Sequence, residues 1–156
     1  KKKQKKKKKK KKSNQIAINR RAGYDYTIGN KFEAGIVLKG TEVKSLRNNR
    51  ADISHAFINQ ERGEFFLKNS NIPKYQASGL LNHDPSRTRK LLLKKKEIKK
   101  IIGSLNRRGM TIVPLKLYFS SKGFAKLLLA IAEGKRKYDK RQLKKEKEWK
   151  KEKIIY

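Results

Sequence analysis

The chain has 156 residues, enough for one domain with a modest core and tails. Its 45 basic against 13 acidic residues give a formal net charge of +32, a field that demands a polyanion, with nucleic acid the leading candidate. The absence of cysteine removes disulfide frameworks and zinc ribbons and fits a reducing, cytoplasmic setting; no apolar run approaches a membrane span, and no apolar h-region follows the N-terminal lysines.

The charge is uneven. Residues 1–12 hold eleven lysines, and residues 134–156 hold eleven basic and four acidic groups. Residues 13–133 still keep 23 basic against 9 acidic groups, so the folded part is basic on its own account. This divides the chain into a disordered poly-lysine extension (1–15), a folded region (16–133) and a basic tail (134–156). The chain begins on lysine rather than methionine, which reads as a processed or trimmed start.

Order is expected from Ile16 onward. Tyr24 to Ile28 alternates like a half-buried strand, and Gly29-Asn30 reads as the turn into a second strand, Phe32–Leu38. Gly40 breaks that run, and Thr41 is a candidate cap for a short helix to Arg47 carrying Val43 and Leu46. Ile53, Phe57 and Ile58 suggest a third strand, with a hairpin at Gly63 into Glu64–Leu67; Pro73 ends the latter, lacking an amide to donate. Residues 76–89 are the longest irregular stretch, a length that favours a functional or mobile loop.

Ile98, Ile101, Ile102 and Leu105 recur at helical spacing with lysines on the other face, and Gly109 marks the expected C-cap. Thr111–Phe119 and Phe124–Ala132 form a last hairpin, in which Pro114 requires an edge position or a bulge. The total is mainly β: a six-stranded antiparallel, oligonucleotide-binding (OB-like) barrel with two or three flanking helices and a basic C-terminal tail. In that tail Leu143, Trp149, Ile154 and Ile155 make no continuous stripe, so it is expected to be disordered alone and helical along a partner.

No catalytic set emerges. His55 and His83 are far apart and lack Cys or carboxylate neighbours at metal-ligand spacing, and no Gly-rich phosphate loop occurs. The acids are too scattered to hold magnesium for a nuclease. No cofactor is implied, and an enzyme is not expected.

The binding signals are stronger. Arg20, Arg21, Lys44, Arg47, Arg87, Arg89 and Lys90 sit at turns or helix starts within reach of phosphates, and Tyr24, Tyr26, Tyr75 and Phe119 offer rings for unpaired bases. Glu33 is the odd member: an acid beside a buried strand in a basic chain, either ion-paired or accepting hydrogen bonds from a partner. A general RNA-binding or ribosomal barrel shares these features, whereas a peripheral membrane protein lacks the second anchoring signal it needs.

At Asn19-Arg20-Arg21-Ala22, Phe32-Glu33-Ala34-Gly35, Gly40–Arg47, Asp84–Leu93, Val113–Phe119 and Gly134–Arg141, the chain resembles the SmpB family, the SsrA-binding proteins that partner transfer-messenger RNA (tmRNA). The match runs from about Ile16 to Arg141, in order and at family spacing. The resemblance implies an OB-like barrel that grips the tRNA-like domain of tmRNA and accompanies it, with elongation factor Tu, to stalled ribosomes for trans-translation in the cytoplasm, with no membrane partner. It carries RNA contacts onto Asn19, Tyr26, Glu33, Leu92 and Lys126, joined by the basic residues Arg20, Arg21, Lys44 and Arg47. The tail is implied to enter the decoding centre and the empty message channel as a helix. Lys135, Lys137, Tyr138, Asp139, Lys140, Arg141 and Trp149 are its contact residues. Tyr138 stands where family members often carry histidine, which keeps a stacking ring but loses a titratable imidazole.

Overall fold

Alternation decides which way each long strand faces. In β7 (Ala125–Gly134), Leu127, Leu129 and Ile131 are buried while Lys126 and Leu128 point the other way. β6 (Met110–Phe119) sends Leu117 inward and Lys116 and Tyr118 outward, and β2 (Tyr26–Ile36) sends Ala34 and Ile36 inward and Glu33 outward. The computed structural model describes residues 14–48 and 50–152. The poly-lysine run and Ile154 to Tyr156, on which expectations were placed, lie outside them.

With β1 (Gln15–Ile18), β3 (Phe57–Glu61), β4 (Glu64–Lys68) and β5 (Arg89–Leu92), these strands form one antiparallel sheet in the order β1-β6-β7-β2-β5-β4-β3. Four helices accompany it among the described residues: α1 (Ala22–Asp25), α2 (Gly40–Arg47), α3 (Lys95–Leu105) and α4 (Lys137–Glu152). The sheet curls until β3 approaches β6, and its interior is filled by such residues as Phe65, Leu67, Leu117, Leu127 and Leu129. Each such side chain contributes roughly 1.5–3 kcal/mol on burial.

The expectation of a six-stranded OB-like barrel is corrected to an open, seven-stranded sheet. Among the described residues the pairing does not close: β1 and β3 are sheet edges, and seven strands are present. Gly29-Asn30 is not a turn. It is a bulge within the single strand β2, where two residues face Ile131 alone between the pairs Ile28–Ala132 and Lys31–Ala130. A Cβ at Gly29 would sit 3.0 Å from the Ile131 carbonyl oxygen, so this glycine permits the close approach.

Other shifts have local causes. Tyr24 belongs to α1 rather than to a strand, and Ile53 is buried ahead of β3 instead of within it. The two additional strands, β1 and β5, are only four residues each, the shortest run in which a period-2 pattern can be read. Pro114 lies in β6 between two paired neighbours, and the register shifts just after it, so the bulge option holds and the edge option does not. α2 begins after Lys39, whose amide donates to Glu42 Oε2 at 2.7 Å; Thr41 lies inside the helix. α3 is capped in the same way by Glu97, which accepts the Lys94 amide at 2.9 Å, and it ends at Asn106 rather than Gly109.

The expected phosphate-reaching arginines Arg87 and Arg89 turn inward instead. Arg89 and Glu42 are both fully buried and pair at 2.9 Å, and Arg87, a quarter exposed, closes on the other carboxylate oxygen at 2.7 Å. Arg89 also donates to the Ser70 carbonyl (3.1 Å) and hydroxyl (2.8 Å) and to the Pro85 carbonyl (3.0 Å). His83 stands alongside: its Nε2–H donates to the Ile72 carbonyl at 2.8 Å, and Nδ1 meets the Thr41 hydroxyl at 2.9 Å. These bonds pin α2, the start of β5 and the 76–88 loop to one another.

Burial alone would push the Glu42 carboxyl up. The Arg87 hydrogen bond, then the Lys39 amide and the charges of Arg89 and Arg87, outweigh it and hold the group below its ordinary value of 4.5. A depressed carboxylate pKa stabilises the fold above the unfolded value, and that contribution is lost as pH falls through the lower, folded one. Glu42→Gln leaves Arg89 as an uncompensated buried cation and should cost about 3–5 kcal/mol by urea denaturation at neutral pH. Below pH 4.5 the gap between variant and wild type should narrow.

Candidate nucleic-acid interface

Strand register builds the outward face. Leu92 of β5 pairs with Gly35 of β2, Gly35 with Lys126 of β7, and Lys126 with Tyr118 of β6. Paired residues point to the same side of a sheet, so Leu92, Lys126 and Tyr118 share one row, with Glu33 two residues from Gly35 on the same face. Sequence reading singled out Glu33, Leu92 and Lys126 separately; the sheet brings them together.

The Tyr118 hydroxyl donates to Glu33 Oε2, and Lys126 Nζ lies 3.9 Å from Glu33 Oε1. The Glu33 side chain remains about half exposed, so its second oxygen faces solvent with only a loose cation nearby. Leu92 is 54% exposed and Phe124 65%. They border a groove of about 380 Å³ lined also by Gly35, Val43, Phe119 and Lys126. Gly35 keeps that row flat: a Cβ there would meet the Leu92 Cβ at 3.3 Å.

A face so built can do two things. Its carboxylate accepts donors that phosphates do not have, and its apolar wall and exposed ring offer stacking surface. Tyr118 and Phe124 went unassigned at the sequence level. The signal for Tyr118 was available in parity, since it stands beside the inward Leu117.

A second grouping lies around α1. Asn19 is buried, with Nδ2 donating to the Pro114 carbonyl at 3.0 Å and Oδ1 accepting the Arg21 and Ala22 amides, both at 3.2 Å. It braces the turn that presents Arg20 and Arg21, both exposed. Tyr26 is half-buried against Ala22, Val113 and Ala132, and it lines a cleft with Arg21, His55 and Phe57. Lys44 and Arg47 are exposed on α2, away from that cleft, and Lys44 stacks over the Tyr75 ring at 5.6 Å. Phe119 packs against the core; Lys90 pairs with Glu64 at 2.6 Å.

The tail forms α4 in this structure, whereas the sequence suggested helix only along a partner. Lys140 pairs with Asp25 at 3.0 Å and lies 5.9 Å from the Tyr24 ring, which Lys147 approaches at 5.8 Å. Lys135 Nζ donates to the Gly23 carbonyl at 2.9 Å. Lys137, Tyr138, Asp139, Arg141 and Trp149 are exposed, and Gln142 Nε2 donates to the Tyr138 hydroxyl at 2.8 Å. Among the described residues, no group of three or more His, Cys, Asp or Glu could hold a metal ion, and no helix is long and apolar enough to cross a membrane.

A basic antiparallel β-sheet protein with an outward face of carboxylate, cation and rings belongs, on these features, among the nucleic-acid-binding β folds. The SmpB protein family model matches residues 16–154. SsrA-binding proteins of Nitrobacter winogradskyi and Rhodopseudomonas palustris are each 51% identical over 138 residues, covering 88% of this chain and 88% of theirs. That of Bradyrhizobium diazoefficiens is 48% identical at the same coverage. A chain of the solved structure "tmRNA-SmpB: a journey to the center of the bacterial ribosome" is 47% identical, with a TM-score of 0.65 over 80% of this chain and 91% of that one. The chain belongs to the SmpB family.

Burial, then the Glu33 hydrogen bond and charge, push the Tyr118 phenol up to about 12 from an ordinary 10. An ultraviolet titration should therefore find one tyrosine ionising near 12, and Glu33→Gln should bring it part-way back toward 10. A Tyr118 that already ionises near 10 in the wild type would show that the phenol does not hold Glu33.

Proposed function

We propose that this chain binds the tRNA-like domain of tmRNA through the outward face of its sheet and carries it, with elongation factor Tu, to stalled ribosomes in the cytoplasm. The observation that carries this reading is the convergence of Glu33, Leu92, Lys126 and Tyr118 on one exposed face of a chain from the SmpB family. Cations attract any RNA, because the phosphate backbone rewards positive charge regardless of sequence. A carboxylate held half exposed within a strongly basic protein is repelled by phosphates, so it contributes only where a base edge or a 2′-hydroxyl presents a donor. Glu33 is thus the discriminating group of the face, Leu92 and Phe124 its apolar wall, and Lys126 its phosphate contact.

Arg20 and Arg21 extend the basic surface from the turn at α1, with Asn19 holding that turn and Tyr26 packed beneath it. Lys44 and Arg47 supply further cations on α2. The role is binding and placement, not bond chemistry. α4, with Lys135, Lys137, Tyr138, Asp139, Lys140, Arg141 and Trp149, is the part that enters the decoding centre and lies along the empty message channel. Its all-round polarity supports this reading, since a helix without an apolar stripe suits a polyanionic partner better than a protein core.

Competition binding to labelled tmRNA, against ordinary tRNA and random structured RNA, tests the assignment. Glu33→Gln should lower tmRNA affinity about 10- to 100-fold, the worth of a hydrogen bond to a charged group, with an unchanged melting temperature. Equal affinity in the variant removes Glu33 from the interface. Alanine at Asp139, Lys140 and Arg141 together should spare RNA binding and abolish peptide tagging in a reconstituted rescue assay; lost RNA binding would show that barrel and tail are wrongly divided.

A further inference from the structure

We infer that α1 is the seat that fixes how α4 leaves the sheet, with Asp25 and Tyr24 as positioning residues that need touch no RNA themselves. On the reading of α4 as the part that enters the decoding centre, this seat is what aims it.

The grip starts before the helix. The last four carbonyls of a helix find no partner within it, and α1 is only four residues long. The Tyr26 amide takes the Ala22 carbonyl. Lys135 takes two more: its amide donates to the Asp25 carbonyl at 3.0 Å, and its Nζ donates to the Gly23 carbonyl at 2.9 Å. α4 begins at Lys137, so it starts one short link from a fixed point.

A second grip lies inside α4. Lys140 Nζ sits 3.0 Å from Asp25 Oδ1, with the two side chains 32% and 29% exposed, less open to screening than an ordinary surface pair. Arg21 approaches Asp25 Oδ2 at 4.0 Å. The Tyr24 ring lies 5.9 Å from the Lys140 ammonium and 5.8 Å from that of Lys147. At about 100° per residue these two lysines stand within about 20° of each other around the helix. One grip would leave α4 free to roll. Two cations seven residues apart on one ring, behind an anchored Lys135, set both its direction and its rotation.

Rotation matters because the opposite side carries different chemistry. Tyr138, Gln142 and Trp149 lie about 160–200° around the helix from Lys140, and all three are exposed. Seating the lysine side on α1 therefore turns the two rings, and the hydrogen bond from Gln142 to the Tyr138 hydroxyl, outward.

The chain holds no cysteine, so Lys99→Cys on α3 and Lys150→Cys on α4 take a pair of spin labels cleanly. Double electron–electron resonance on the full chain should give one narrow distance, and Asp25→Asn with Tyr24→Ala should broaden it. That double variant should keep its tmRNA affinity and melting temperature yet lose peptide tagging about 10-fold in a reconstituted rescue assay, as the aimed state becomes less populated. Asp25→Glu with Tyr24→Phe, which keeps the charge and the ring, should hold both readouts at wild type. A narrow distance that survives Asp25→Asn with Tyr24→Ala overturns the seat. So does tagging that rises, which would make the contact a latch to be released. Full tagging beside a broadened distance also overturns it, where alanine at Asp139, Lys140 and Arg141 abolishes tagging. Where that triple variant tags normally, the reading of α4 falls instead, and the distance still decides the seat.

Discussion

One buried carboxylate organises this molecule. Glu42 caps its own helix through the Lys39 amide and neutralises Arg87 and Arg89, which arrive from a different part of the chain. Arg89 then satisfies groups on Ser70 and Pro85. Such a cluster is a weak source of net stability compared with apolar packing, because desolvating three charges offsets most of their attraction. It also ties α2, β5 and the long loop to one another, because displacing any of them leaves a buried charged donor or acceptor unpaired. Leu92 leaves the sheet three residues after Arg89, so the register that puts Leu92 opposite Gly35 begins at this ion cluster.

The outward face follows from that register. In a basic protein, cations provide attraction and very little choice. On the proposed reading, choice comes from the group that attraction would not favour, Glu33, tied by a tyrosine hydroxyl on one oxygen and only loosely approached by Lys126 on the other. The polar helix α4 stands apart from that face, following β7 in the chain and braced on α1 through Lys140 and Asp25.

Much of this was legible in the sequence, and the exceptions have physical reasons. Glu33 stood out as an acid in a basic chain and the family resemblance pointed to Leu92 and Lys126, but their adjacency depends on pairing between strands far apart in the chain, which no local pattern reports. α3 was readable because its apolar spacing is strong and local. β1 and β5 were not, being at the four-residue lower limit of the alternation pattern. Gly29-Asn30 carries the composition of a turn, and only the strand opposite shows that it is a bulge. Arg87 and Arg89 misled for a related reason: a basic run in an irregular stretch resembles a phosphate contact, and the acid that claims it lies 45 and 47 residues earlier.

The open sheet has a consequence for how copies of the protein behave toward one another. Unclosed edges at β1 and β3 present free backbone donors and acceptors, the usual template for strand addition between chains. A closed barrel would remove that hazard by geometry. Here the safeguard is charge, because two molecules at +32 repel long before their edges meet. That protection is only as long-ranged as the ionic atmosphere permits, about 10 Å at 0.1 M salt. Colloidal solubility in this protein is therefore a function of the buffer as much as of the fold, and a bound polyanion that cancels the charge must itself keep the edges apart.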